Sequence, residues 1–280
     1  FGTEHYLATK QILPEASFSD VLQKRAGYLR AIGDPRAPVG LVEYGIIAKM
    51  RFELDLYVNL RPIKLFDASL CPLKDKGPAD IDMVIIRENT EDAYSGAHGF
   101  THKGQALEVA TQTMVYTRAG VERAIRYAFE CARERNGRKH VTLIDKANAV
   151  RAQDIWTRTF AEVASDYPDC ETAHAYIDAA CMWMVKNPEW FDVAVTPNLF
   201  GDIITDPGRT SLFEPIHGSA PKHAGKNIAS PVAAILAVGM MLDYLGEKQA
   251  AGAVEGAVAE LLATKRLKGV GTGVHPTNEV

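Results

Sequence analysis

Asp192-Val-Ala-Val-Thr196, then Pro197, then Asn198-Leu-Phe-Gly-Asp-Ile-Ile-Thr-Asp206 reads as a strand, a turn and a helix. After Asp192 the residues Val193, Ala194, Val195 and Thr196 are apolar or β-branched, the composition of a short buried strand. Pro197 ends it, and Asn198 is of the residue type that caps helices. In the helix that follows, Asp202 and Asp206 stand four apart and share a face. Two carboxylates so close repel unless a cation lies between them, and an all-oxygen pair suits Mg²⁺ or Mn²⁺. A solvated acidic helix face has the same spacing. Position puts the metal on equal footing with the solvated face, because a helix entered from a buried strand starts where open α/β sheets place their ligands.

The pattern repeats upstream. Asp82-Met-Val-Ile-Ile-Arg-Glu88 is an apolar run that ends on Arg87, and His140-Val-Thr-Leu-Ile-Asp145 is another that delivers Lys146. The stretch 56–66 reads as a strand containing Arg61, and Pro62 within it predicts an edge or a bulge. Between the strands lie helical patterns at 41–56 (with Arg51), 117–136, 154–164 and 176–186 (with Asp178 in its first turn). A short helix is expected at 18–23 and a long apolar one at 230–246. On the 117–136 helix Val121, Ile125, Ala128, Phe129 and Ala132 form the apolar face, with Gly137 expected as the C-cap. Residues 31–40, 89–96 (with Tyr94) and the tail from Lys265 read as loops. Strands alternating with helices predict an α/β fold around an open, mostly parallel sheet with flanking helices.

Composition narrows the function. The chain has 280 residues, 47% hydrophobic and 24% charged, enough for one large or two medium domains. A net charge of −4 argues against nucleic acid or an anionic membrane as partner. No apolar run approaches the roughly 18 residues of a membrane span. The four cysteines lack CxxC spacing, as reduced thiols in a cytoplasmic protein would.

Arg51, Arg61 and Arg87 adjoin apolar segments, and a guanidinium fork fits a carboxylate in bidentate fashion. Three such groups suit a substrate with more than one carboxylate; three surface ion pairs have the same sequence appearance. A lysine near cations and low-dielectric walls, as Lys146 would be, loses its proton readily and can act as a base, and Tyr94 can donate a proton beside it. Asp178, Asp202 and Asp206 could form a three-carboxylate metal site. Residues 214–231 are rich in small residues and run into a helix, so their amides could hold a phosphate or ribose, although no GxGxxG or Walker loop is present.

Together the segments MRFELDLYVNLRP, IIRENTEDAYSG, LIDKANAV, YIDAACM, NLFGDIITD and FEPIHGSAPKHAGKN resemble the β-decarboxylating dehydrogenases, which act on isopropylmalate, isocitrate, homoisocitrate, tartrate or D-malate. They cover nearly the whole chain in family order. The resemblance implies a two-domain isopropylmalate-dehydrogenase-like fold that is not a Rossmann fold. Residues 1–56 and 207–280 would form a cofactor-side domain, and 57–206 a central domain for substrate, metal and dimerisation. It further implies that Arg51, Arg61 and Arg87 bind the malate carboxylates, that Asp178, Asp202 and Asp206 bind Mg²⁺ or Mn²⁺, and that Lys146 and Tyr94 are the acid–base pair. Glu214, His217, Gly218, Ser219, Ala220, Lys222, His223 and Ser230 would hold NAD or NADP. Lys146 and Asp178 would come from the second subunit of a homodimer. Members of the family also carry about twenty residues more between Asp206 and Pro207, on the scale of a long loop.

The helix before Arg51 reads the substrate's side group in this family. Gly45-Ile46-Ile47 stands where isocitrate enzymes have Ser and Asn, so Ile46 and Ile47 would form an apolar wall that favours an isopropyl group. DKANAV (145–150) agrees with 3-isopropylmalate, whereas ENTEDAYSG (88–96) and the stretch 108–130 look like the D-malate and tartrate branch. Isocitrate or homoisocitrate is a further alternative, as is an inactive binding or regulatory paralogue. Lys222-His223 resembles the Lys-Tyr pair of NADP-dependent isocitrate enzymes, since a cation there would welcome a 2′-phosphate.

Overall fold

The structure is a computed structural model, and it describes residues 2–29, 32, 34, 36–38, 40–205, 226–264 and 276–280. In chain order its elements are α1 (Thr3–Thr9), α2 (Glu15–Leu22), α3 (Leu41–Glu43), a π-helical turn (Tyr44–Ala48), α4 (Lys49–Glu53), β1 (Val58–Lys64), β2 (Asp82–Glu88), β3 (His98–Thr101), β4 (Val109–Gln112), α5 (Arg118–Arg135), β5 (His140–Asp145), α6 (Asp154–Ala164), β6 (Glu171–Tyr176), α7 (Ile177–Lys186), β7 (Val193–Thr196), α8 (Asn198–Thr205), α9 (Val232–Tyr244) and α10 (Lys248–Ala263). No described helix is long and apolar enough to cross a membrane. All four cysteines are free thiols.

The chain divides into two compact units, one of residues 1–55, 65–78 and 206–280, the other of 56–64 and 79–205. The second unit holds a five-stranded sheet in the order β1-β2-β7-β5-β6. β2, β7, β5 and β6 run parallel, and β1 joins β2 antiparallel. The sheet is therefore mostly parallel, and Pro62 lies on its edge strand, where a missing N–H is tolerated. The central strands are rich in β-branched residues and, Asp82 at the start of β2 apart, buried, as strands covered on both faces must be.

Helix α5 lays Val121, Ala124, Ile125, Ala128, Phe129 and Ala132 into this core, where they meet Trp156, Phe160 and Val163 of α6. The Phe129 ring stacks on Tyr167 with centroids 4.7 Å apart. Each large apolar side chain so buried contributes about 1.5–3 kcal/mol. At the N-terminus of α5 the Thr117 hydroxyl accepts from the Gly120 N–H at 3.0 Å. At the other end Asn136, with φ 48°, takes the left-handed conformation. The cap is thus Asn136 and not Gly137, because asparagine's short polar side chain tolerates that region nearly as well as glycine.

Among its described residues the first unit has two small cores. Phe18, Ile32, Ala37, Val42, Ile46 and Met50 form one, and Val232, Val258 and Leu262 form the other with Phe66, Leu70, Ile235 and Leu236. Helices α9 and α10 pack together, closely enough that a Cβ on Gly239 would lie 3.3 Å from a methyl of Val254.

Candidate functional site

Parallel strands deliver their following residues to one edge of the sheet. Arg87 near the end of β2 is in register with Thr196 at the end of β7, and Asp145 at the end of β5 with Tyr176 at the end of β6. Arg87 and α8 therefore leave one pair of neighbouring strands, and Lys146 and α7 leave the next pair.

The first pair builds a dense polar cluster. The Arg87 side chain is buried. Its Nε and Nη2 donate to Asn198 Oδ1 at 2.9 and 2.7 Å, and its Nη1 donates to the Asp202 carboxylate. The Tyr94 hydroxyl donates to the other Asp202 oxygen at 2.8 Å, while its ring lies 5.4 Å from the Arg87 guanidinium. Arg61, also buried, reaches to 3.6 Å from Asp202 and donates from Nε to Asn59 at 3.1 Å. Asn59 in turn leans on Asn89, which donates to the Leu56 carbonyl at 2.9 Å. Gly201 makes the packing feasible, because a Cβ there would lie 2.5 Å from Cγ of Arg87.

Asn198 has another task than the helix cap expected from sequence. Its side-chain oxygen holds Arg87 and its amide donates to the Glu91 carbonyl at 3.2 Å. The N–H at the start of α8 that has no partner within the helix, that of Leu199, is taken instead by Asp92 at 2.9 Å. A carboxylate at a helix N-terminus also meets the favourable end of the helix dipole.

The second pair is simpler. Lys146 Nζ donates to Asp178 at 2.7 Å. That hydrogen bond holds the Asp178 carboxyl below its ordinary range. Asp145, fully buried, orients the turn: it accepts from the Ala147 N–H at 3.1 Å and meets His174 Nε2 at 2.9 Å.

The structure thus brings Arg61, Arg87, Tyr94 and Asp202 together, and Lys146 with Asp178 separately. Among the described residues no three His, Cys, Asp or Glu side chains gather as a metal site within this chain. Asp202 and Asp178 nevertheless fit a hard cation: both offer only oxygen, and both are open to solvent, 28% and 69% exposed. Asp206, Glu214, His217, Gly218, Ser219, Ala220, Lys222 and His223 lie outside the described residues.

Of the expected residues in the other unit, Arg51 is buried on α4 and Ile47 is partly exposed. Ile46 is a correction. At 2% exposure it belongs to the core with Phe18, Val42 and Met50, so its side chain is unavailable to a ligand. The π-helical turn at 44–48, a feature frequent at functional sites, sets which of the two isoleucines faces outward. The hydroxyl of Ser230 faces the Val232 N–H at 3.5 Å, at the start of α9.

The isocitrate/isopropylmalate dehydrogenase family model matches residues 1–209 and 206–273. A 3-isopropylmalate dehydrogenase of Thermobifida fusca is 42% identical over 300 aligned positions, covering 100% of this chain and 84% of the relative. One from Mycobacterium avium is 45% identical over 285 positions, covering 94% and 84%. The crystal structure of isocitrate dehydrogenase from Methylococcus capsulatus superposes with a TM-score of 0.83 at 34% identity, covering 95% of this chain and 81% of that one. Sequence, fold and the cluster at the carboxyl edge of the sheet agree: this chain belongs to the isocitrate/isopropylmalate dehydrogenase family.

Proposed function

We propose that the protein oxidises and decarboxylates a 3-substituted malate with NAD(P) and a divalent cation, converting 3-isopropylmalate to 4-methyl-2-oxopentanoate. The observation that carries this reading is the convergence of Arg61, Arg87 and Tyr94 on Asp202. Two buried guanidinium forks suit the carboxylates of such a substrate, with Arg51 as the third. Asp202, Asp206 and Asp178 would hold Mg²⁺ or Mn²⁺, which would supply Lewis acidity for oxidation of the hydroxy acid, and bound NAD(P) would supply the hydride acceptor. Lys146 Nζ takes the hydroxyl proton, and the Tyr94 hydroxyl returns a proton to C3 after CO₂ leaves. Ile47 and the names of the relatives favour the isopropyl side group.

The active unit is a homodimer, in which Lys146 and Asp178 of one copy complete the Arg87–Asp202 cluster of the other. Three features support it: the two groups stand apart within one chain, α7 exposes Met182 and Val185, and the β3–β4 hairpin is exposed along both strands. Lys222 and His223 favour NADP at least as well as NAD.

The test is a substrate panel with Mg²⁺ or Mn²⁺ and with each cofactor. The highest kcat/KM is expected on 3-isopropylmalate. Preference for D-malate or tartrate would move the reading to that branch, which residues 88–96 and 108–130 resemble. No metal-dependent NAD(P)H formation on any of these, isocitrate included, would make the chain a paralogue without turnover. A large NAD preference would overturn the NADP reading alone.

A further inference from the structure

The two polar groups at the sheet edge are joined underneath by a part-buried chain of hydrogen bonds. The Lys146 N–H donates to Gln153 Oε1 at 2.7 Å, and Gln153 Nε2 donates to the Tyr116 hydroxyl at 2.8 Å. That hydroxyl donates to Asp92 Oδ1 at 2.8 Å, and Asp92 Oδ2 accepts from the Leu199 N–H at 2.9 Å. Asp92 and Gln153 are both completely buried.

The order of donors is forced. A backbone N–H only donates, so the Gln153 oxygen must face Lys146 and its amide nitrogen must face Tyr116. The tyrosine oxygen is then an acceptor on that side, and its one proton is left for Asp92. Asp92 closes the chain as an acceptor from both directions, with the Ala93 N–H at 2.8 Å as a third donor. Every link has one orientation, so the chain has a single arrangement, and breaking a link at the fully buried Gln153 leaves one of its amide atoms without that partner.

Its ends are informative. One is the backbone of Lys146; the other is the first turn of α8, three residues before Asp202. We propose that Asp92, Tyr116 and Gln153 are positioning residues that fix the spacing between these two elements. Resting on the dimer reading above, each chain would give Lys146 to its partner's site and keep Asp202 in its own. The strut would then set the geometry of both sites at once.

Tyr116→Phe tests this directly, since it keeps the ring and removes the central hydroxyl. Gln153→Met is the second variant if the first folds poorly. Tyr167→Phe is the control: its hydroxyl donates to Glu130 at 2.8 Å, an equivalent bond away from the sheet edge. In Tyr116→Phe, amide exchange in peptides spanning Lys146 and in those spanning Leu199 is expected to rise together. With 3-isopropylmalate, kcat is expected to fall about tenfold while KM stays within about twofold, as for misplaced catalytic groups with binding intact. The control should change neither. Faster exchange at one end only, or unchanged kcat with both ends loosened, would overturn the proposal. If the wild-type protein turns over none of the panel substrates, the functional reading fails, and the exchange arm still decides whether the strut exists.

Discussion

At Gly201 a helix crosses the stem of a buried arginine with no room for a methyl group. Gly201→Ala is expected to displace Arg87 and to lower kcat/KM on the preferred malate by about 10²-fold, the scale of an ångström-sized misplacement. Circular dichroism should stay near wild type, and an unchanged kcat/KM would show that Arg87 tolerates the shift. Glu88, next to Arg87, is buried, and burial raises its carboxyl above the ordinary 4.5. The Thr90 N–H, the Thr90 hydroxyl and the Glu91 N–H oppose that rise without cancelling it. The folded chain therefore binds this proton more tightly than the unfolded one. Its contribution to stability is complete below 4.5 and is lost as pH rises through the higher folded value. Thermal melts of Glu88→Gln across that window should lack the decline shown by the wild type; parallel curves would rule Glu88 out. Among the site residues, Arg87, Lys146 and Asp202 were legible because each follows an apolar strand. Asn198, Asp92 and Gly201 were not, because their roles depend on which loop meets which helix across more than a hundred residues.

Elements with a buried face announced themselves, and exposed ones did not. Strands β2, β5 and β7 and helix α5 carry apolar runs or stripes that only burial explains. Strand β6 reads ETAHAY, lies at the sheet edge and buries one residue of six, so no periodicity marks it. Strands β3 and β4 are exposed nearly throughout and are equally silent. Helices α1 and α10 also carry no clear stripe, and α10 contains two glycines. The end of α5 moved by one residue because asparagine and glycine compete for the left-handed position. At the other end Thr117 caps α5, and its N–H and hydroxyl are both held by Glu91. Thr117→Ala should destabilise the protein by about 1 kcal/mol in denaturant melts. A loss well under half of that would mean that Glu91 alone holds the helix start.

On the scale of the molecule, the family model is matched in two pieces that meet at residues 206–209. That is the point at which the family resemblance leads one to expect about twenty further residues, a length typical of a long loop. The pairing of chains has its own test. Lys146→Ala and Asp202→Ala variants should each be inactive alone. Mixed and allowed to exchange subunits, they should recover about a quarter of the wild-type sites, since half the dimers are mixed and each mixed dimer has one intact site. No recovery, with exchange verified by mass, would place Lys146 and Asp202 in the same chain's site. The β3–β4 ribbon adds a consequence. Two strands with no buried face hold together poorly in water, so they need a neighbour to stay paired. Lys103, at the tip between them, is exposed. Dilution should therefore open this ribbon to trypsin, and the concentration at which Lys103 becomes cleavable would report where the copies part company. Cutting at a rate independent of concentration would leave the ribbon outside any contact between chains.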